Sequence, residues 1–167
     1  MATYNTLASF IIPLSPVQLD FAVSVLSCVE DEKLDLTKKH KTKAAKAYNS
    51  SVYRLAKRFA KKMEGYDPEF AYSGFSWERG SGGLWISHDE SMHTDNAAMF
   101  THLLLKHFDI EGYVAIEASH DCDRPRLDAF GGHAFFVTKN ALRMTTTCKW
   151  VYQQAKRSGL QPVGLVA

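Results

Sequence analysis

The sequence predicts an α+β fold, in which helices pack on one face of a mostly antiparallel sheet of about five strands. Four segments carry apolar residues at helical spacing, and short runs rich in β-branched and aromatic residues lie between them. With 46% hydrophobic and 23% charged residues, the composition excludes a disordered chain and a disulfide scaffold. A length of 167 residues suits one domain, so residues 1–167 are predicted to form a single domain.

The N-terminal unit is predicted to be a strand over residues 9–14 followed by a helix. Ser15 is expected to cap that helix, because Pro16 suits the first helical position and Gln18 completes a capping box. Apolar residues at helical spacing predict one buried face: Phe21, Ala22, Val25, Leu26 and Val29.

A second helix is predicted from about Lys41 to Met63, with Gly65 and Pro68 ending it. Its apolar stripe continues for about five turns. The stripe consists of Ala45, Tyr48, Val52, Leu55, Ala56, Phe59 and Met63. This helix belongs to a basic segment, residues 38–63, inserted between the N-terminal β–α unit and a ββαββα region.

The ββαββα region begins near Glu69 with a hairpin, whose strands cover 70–78 and 84–87 around a turn at 80–83. Thr94 or Asp95 begins the third helix. The remaining elements are a strand over 113–116, a polar loop over 120–130, a strand over 133–138 and a helix over 146–156. Gly-Gly pairs at 82/83 and 131/132 stand 49 residues apart. The two pairs indicate either an internal ββα repeat or a coincidence, because Gly-Gly is common in turns between strands.

The net charge of +2 conceals an asymmetric distribution of charge. Ten of the twenty Lys and Arg residues lie between Leu36 and Met63, and no Asp or Glu occurs over the 26 positions from 37 to 62. The rest of the chain carries ten basic against eighteen acidic residues, a net of −8. The sequence therefore describes an acidic body with a basic arm.

The basic helix admits three interpretations: a surface for a polyanionic partner, a solvated or self-neutralising face, and a helix lying on an anionic membrane. We predict the first, with nucleic acid or an acidic protein surface as the partner. No helix-turn-helix spacing or paired RNA-stacking aromatics accompany the helix, so base-specific readout is not expected. The predicted binding residues are Arg54, Lys57, Arg58, Lys61 and Lys62.

Two further polar clusters stand out. The first gathers His88, Glu90 and His93 after a strand, but their spacing matches no metal-ligand motif, so neither a metal nor a cofactor is predicted. The second is the loop over 120–128, whose alternating charges ordinarily indicate Asp–Arg pairs that order a loop. As a functional site, the loop is predicted to bind an anion through Arg124 and Arg126.

The function predicted from these features is that of a binding protein without catalysis. The alternative is a small phosphoester- or nucleotide-handling hydrolase using His88, Glu90, His93, His133 and the arginines, whose side chains must then converge on one cavity. A third interpretation is a structural or oligomerising module. Three widely spaced cysteines and the lack of a long apolar run predict a cytoplasmic protein without a membrane span.

Part of the chain resembles a family of small bacterial, plasmid and phage proteins with no known activity. The resemblance rests on the segments 83–86 and 112–114, and above all on 125–138, which contains Pro-Arg and Phe-Gly-Gly before an apolar strand ending in Thr. His133 stands where that family has a third glycine, and the family's middle segment is more often acidic. The resemblance implies a phage or mobile-element setting, and a role in host modulation or counter-defence is one expectation.

Overall fold

The computed structural model describes residues 3–36, 48–63, 67, 72–88, 90–124 and 130–159. These residues form six strands: β1 (Tyr4–Pro13), β2 (Ser76–Gly80), β3 (Gly83–Ser87), β4 (Val114–Cys122), β5 (Gly131–Val137) and β6 (Leu142–Thr146). Four helices accompany them: α1 (Pro16–Val29), α2 (Ser50–Ala60), α3 (Thr94–His107) and α4 (Thr147–Ser158). The strands pair antiparallel in the spatial order β2-β3-β1-β4-β5-β6. The α+β class and the antiparallel sheet are confirmed.

The sheet has six strands, so the expectation of about five is one too low. The missed strand is β6, a short edge strand with no buried residue. It follows β5 through a tight turn in which the Thr138 hydroxyl accepts hydrogen bonds from the backbone N–H groups of Asn140 and Ala141. Because that turn contains no glycine or proline, the sequence carries only a weak signal for it.

Two central strands are longer than the sequence predicts. β1 begins at Tyr4 rather than at residue 9, and β4 reaches Cys122 rather than ending near 116. These extensions pair with each other, with Thr6 opposite His120. The predicted polar loop began at residue 120, and His120 belongs instead to β4, within the sheet. β2 also begins later than predicted, at Ser76.

One face of the sheet is covered by helices, as predicted. Alternate strand residues point into the core on this face, and they include Ile12, Leu84, Ile86, Ile116 and Phe135. α1 packs against β3, α3 packs against β1, β4 and β5, and α2 packs on α1 and α3. The intervening residues point to the uncovered face, where Ile11, Trp85 and Phe136 keep between 39% and 46% of their surface exposed.

The N-terminus of α1 confirms the predicted capping box. The Ser15 hydroxyl accepts from the Gln18 backbone N–H at 3.4 Å, and the Gln18 side chain accepts from the Ser15 N–H at 2.9 Å. Two otherwise unpaired backbone donors are thereby satisfied.

α2 begins at Ser50, after an N-cap formed by Asn49, whose side chain accepts from the backbone N–H groups of Ser51 and Val52. Tyr48 therefore precedes the helix instead of belonging to its stripe. The predicted part at 41–47 lies outside the described residues. Phe59 is fully buried, with its ring centroid 5.1 Å from that of Phe100.

The second glycine of each Gly-Gly pair lies against the backbone of a neighbouring strand. Gly83 has φ of +143°, and a Cβ added there would lie 2.0 Å from the Ile12 carbonyl oxygen. A Cβ on Gly132 would lie 2.7 Å from the Ala118 carbonyl oxygen. This shared constraint explains why glycine occupies both positions, whether or not the two halves form a repeat.

We therefore expect Gly83→Ala to reduce the free energy of unfolding by at least about 2 kcal/mol, since it combines a backbone clash with an unfavourable φ. The matched control is Gly82→Ala, because no atom lies within 4 Å of a Cβ at that position. Urea unfolding of both variants measures the difference. Equal stability of the two would contradict the close approach of β3 to β1.

Candidate functional site

The basic face of α2 is defined by Arg54 and Arg58 on the helix together with Lys61 and Lys62 in the turn that follows it. All four side chains are exposed, whereas Lys57, the fifth predicted binding residue, is half-buried. The opposite side of α2 is buried against α1 and α3 through Val52, Leu55, Ala56, Phe59 and Ala60. The apolar stripe thus fixes the rotation of the helix and directs the basic face outward.

The charges of this face are not neutralised by the body of the protein as far as the structure describes it. Arg54 donates to the Ser50 carbonyl oxygen at 3.1 Å, a contact within its own helix. Across the described ranges, no carboxylate pairs with Arg58, Lys61 or Lys62. The described ion pairs lie away from this face; in one of them, an Arg79 guanidinium nitrogen is 2.6 Å from an Asp20 carboxylate oxygen.

The predicted anion-binding loop is described only in part. Arg124 is exposed just beyond the end of β4, and Arg126 lies outside the described residues. The carboxylate of Asp123 accepts a hydrogen bond from the Thr3 backbone N–H at 2.9 Å, which ties the start of the loop to the chain before β1. Anion binding by Arg124 and Arg126 therefore stays a prediction.

His88 and Glu90 lie together, but away from His133. The Glu90 backbone N–H donates to His88 Nδ1 at 3.0 Å. His88 lines an open groove of about 880 Å³ on the uncovered face of the sheet, with Trp85 and Glu117 among its neighbours.

His93 and His133 line a different cleft, of about 330 Å³, which also contains Thr94 and Asp95 at the start of α3. His133 points to the helix-covered side of the sheet, as its neighbour Phe135 does two residues later. Of the side chains of the hydrolase alternative, His93 and His133 therefore share this cleft, whereas His88 lines the groove on the other face of the sheet.

A chain of hydrogen bonds crosses this cleft; we call it the histidine relay. Thr6 Oγ1 lies 3.1 Å from His120 Nδ1, and His120 Nε2 lies 2.8 Å from His133 Nδ1. His133 Nε2 then lies 2.7 Å from Thr94 Oγ1. All four ring nitrogens of the two histidines are therefore engaged, and the relay joins β1, β4, β5 and α3.

Strand register brings the relay together. Thr6 is paired with His120 across β1 and β4, while His133 is paired with Ala118 across β4 and β5. His120 and His133 are consequently diagonal neighbours on one face of the sheet, and their ring centroids are 4.7 Å apart. α3 then places Thr94, its first residue, above His133.

The surroundings of His133 favour its neutral form. Burial lowers the pKa of His133, and the neighbouring His120 lowers that pKa further, while the carboxylate of Asp95 opposes both with a smaller effect. A neutral imidazole carries one N–H and one free lone pair, so His133 donates from one nitrogen and accepts at the other.

Sequence reasoning selected His93 and His133 but missed His120, Thr6 and Thr94. Ile116, Ala118 and His120 occupy every second position, and residues with that spacing lie on one face of a strand. That alternation was the available signal, and the run of polar residues after 119 concealed it. Nothing in the sequence marks Thr6 as its partner, because the contact spans 114 positions.

Other reactive groups have simpler environments. Burial and then the charge of Asp31 raise the pKa of the Cys28 thiol to about 12, so this thiol stays protonated.

Over the described ranges, no three His, Cys, Asp or Glu side chains are grouped as metal ligands. No helix in that part of the chain has the length and apolar character needed to cross a membrane.

Comparison with known proteins adds no relative. No protein-family model, no curated protein and no solved structure matches this chain. The resemblance to phage and plasmid proteins therefore stays a hypothesis, and the basic face and the histidine relay are the features from which a function can be inferred.

We expect stability to fall as the pH drops below about 6.5, the ordinary pKa of histidine. In the window between that value and the lowered pKa of folded His133, the unfolded chain binds a proton that the folded protein does not. Urea unfolding between pH 7.5 and 5 measures this slope, and His133→Gln should flatten it.

The control is His102→Asn, since His102 is a half-buried histidine bonded to the Thr138 carbonyl oxygen, away from the relay. His93, His120 and Asp95 also line the cleft, so the comparison is between slopes rather than between absolute stabilities. If His133→Gln shows the same dependence of unfolding free energy on pH as the natural protein, the pKa of folded His133 is not lowered, which would contradict this prediction.

Proposed function

We propose that the protein binds a polyanionic partner, most directly the phosphate backbone of a nucleic acid, through the basic face of α2. The observation that carries this proposal is the exposure of Arg54, Arg58, Lys61 and Lys62 opposite the buried stripe of the helix. Because α2 is already folded and docked, binding has to order these side chains but not the helix backbone that carries them, which reduces the entropic cost of binding.

The spacing of the basic residues suits a backbone contact. Arg54 and Arg58 are four residues apart on α2, roughly 6 Å along the helix axis at 1.5 Å per residue, and Lys61 and Lys62 extend the basic face into the turn that follows. A separation of about 6 Å is comparable with two phosphate steps along one DNA strand, at about 3.4 Å each. Because phosphates carry no sequence information, this contact gives binding without base specificity.

Charge also favours this surface over the rest of the molecule. Outside residues 36–63 the chain has a net charge of −8, which repels a polyanion. A polyanionic partner would therefore approach the basic face rather than the acidic remainder of the molecule. An acidic protein surface meets the same requirement, and it is the other outcome that the experiment must separate.

The biological setting is a further part of the proposal. The resemblance to phage and plasmid proteins supports a cytoplasmic role on a mobile element, and host modulation or counter-defence is the role we infer by analogy. Polyanion binding by the basic face does not depend on that analogy.

The quadruple variant Arg54→Ala/Arg58→Ala/Lys61→Ala/Lys62→Ala should lose most of its affinity for labelled DNA or RNA in fluorescence anisotropy. For duplex DNA, the slope of log affinity against log salt should become shallower by about three to four, at about 0.9 per lost phosphate contact. The matched control removes four exposed basic side chains elsewhere, at Lys106, Lys149, Lys156 and Arg157, and should change both quantities less.

Two results would contradict the nucleic-acid proposal: no salt-dependent binding by the natural protein, or equal losses in the two quadruple variants. If nucleic acid does not bind, the same variants should be compared for binding to poly-glutamate. Salt-dependent affinity for poly-glutamate that is lost only in the α2 variant would support an acidic protein surface instead.

A further inference from the structure

The direction in which hydrogen bonds are donated along the histidine relay follows from the burial of the two threonine hydroxyls at its ends. Each neutral imidazole has one N–H, so the donors along the relay must all point the same way. Thr94 is 4% exposed, and in the described part of the chain its hydroxyl has no side-chain partner other than His133. Thr6 is only half-buried, so its hydroxyl can donate to water.

Only one direction satisfies the buried hydroxyl. In that direction Thr94 O–H donates to His133 Nε2, His133 Nδ1–H donates to His120 Nε2, and His120 Nδ1–H donates to Thr6 Oγ1. The reverse direction would leave the Thr94 proton without an acceptor among the described residues. A hydroxyl held against the lone pair of a neutral histidine, itself oriented by a third group, has the arrangement of an activated nucleophile.

We propose that this cleft is an esterase-type catalytic site, in which Thr94 is the nucleophile, His133 is the general base and His120 is a positioning residue. The proposal is independent of polyanion binding by the basic face, because none of the residues that line the cleft belongs to α2.

The lining of the cleft indicates the class of substrate. Met92, Phe135 and Met144 supply apolar surface, and no Lys or Arg lines the cleft in the described part of the chain. Asp95 adds a negative charge at its edge. A phosphate group would find no counter-charge here, so the cleft suits a small uncharged acyl ester rather than a phosphoester.

The reaction proceeds in two balanced stages. Thr94 Oγ1 bonds to the ester carbonyl carbon while its proton passes to His133 Nε2, and collapse of the tetrahedral intermediate releases the alcohol, which takes that proton. Water then attacks the acyl-Thr94, giving its proton to His133, and collapse releases the carboxylic acid as Thr94 recovers its proton. His120 accepts from His133 Nδ1–H throughout and keeps the ring oriented.

Turnover of p-nitrophenyl acetate and butyrate by the full chain tests the proposal. Thr94→Val and His133→Gln should each lower kcat by about 100-fold or more. Thr94→Ser keeps the hydroxyl and should retain at least about tenfold more activity than Thr94→Val. His120→Asn should shift the pH profile of kcat, which a merely structural role would not do. His102→Asn is the matched control and should leave turnover unchanged.

Mass spectrometry after treatment with a fluorophosphonate probe gives a readout on the natural protein, so the test stands even if a variant fails to fold. Modification of Thr94 would support the proposal. No turnover above the uncatalysed rate together with no modification would overturn it. Turnover that survives in folded Thr94→Val would also overturn it, because a histidine alone would then be the catalyst.

Discussion

Antiparallel pairing of β4 with β5 places Ala118 opposite His133 and so directs the His133 ring towards His120 on the helix-covered face. A shift of one residue would turn one of the two histidines to the opposite face and would break the relay. Gly132 permits the close approach of β5 to β4, since a Cβ there would lie 2.7 Å from the Ala118 carbonyl oxygen. The start of α3 then completes the relay with Thr94. Every chemical property that we assign to the cleft depends on this pairing.

The basic face depends on a different constraint, the docking of α2. Phe59 packs in the core beside Phe75 and Phe100, and this anchor fixes which side of the helix faces solvent. An amphipathic helix with one buried stripe must present its remaining residues outward, and in α2 Arg54 and Arg58 are among these. The two candidate sites therefore arise from separate elements. Either can fail experimentally without the other.

The sequence predicts local structure well and long-range pairing poorly. The capping box at Ser15 and the first residue of α3 are local signals, and both predictions are confirmed. β6 was missed because its residues are not buried and the turn that joins it to β5 contains no glycine or proline. The extension of β4 was missed because its residues are polar and its partner strand, β1, is distant in sequence. The same limitation explains the site. The sequence pattern singles out His133 as a lone histidine and favours a loop for His120, and only the strand register shows that the two rings meet.

The orientation of the relay decides whether Thr94 can act as a nucleophile, and it can be measured directly. Long-range ¹H–¹⁵N NMR spectra of the folded protein near pH 7 report which nitrogen of each histidine carries the proton. We predict that both His133 and His120 carry a proton on Nδ1 and that His133 Nε2 carries none, so that His133 Nε2 accepts from Thr94. A proton on Nε2 of His133 would contradict this orientation, because Thr94 would then be an acceptor and could not be activated by that ring.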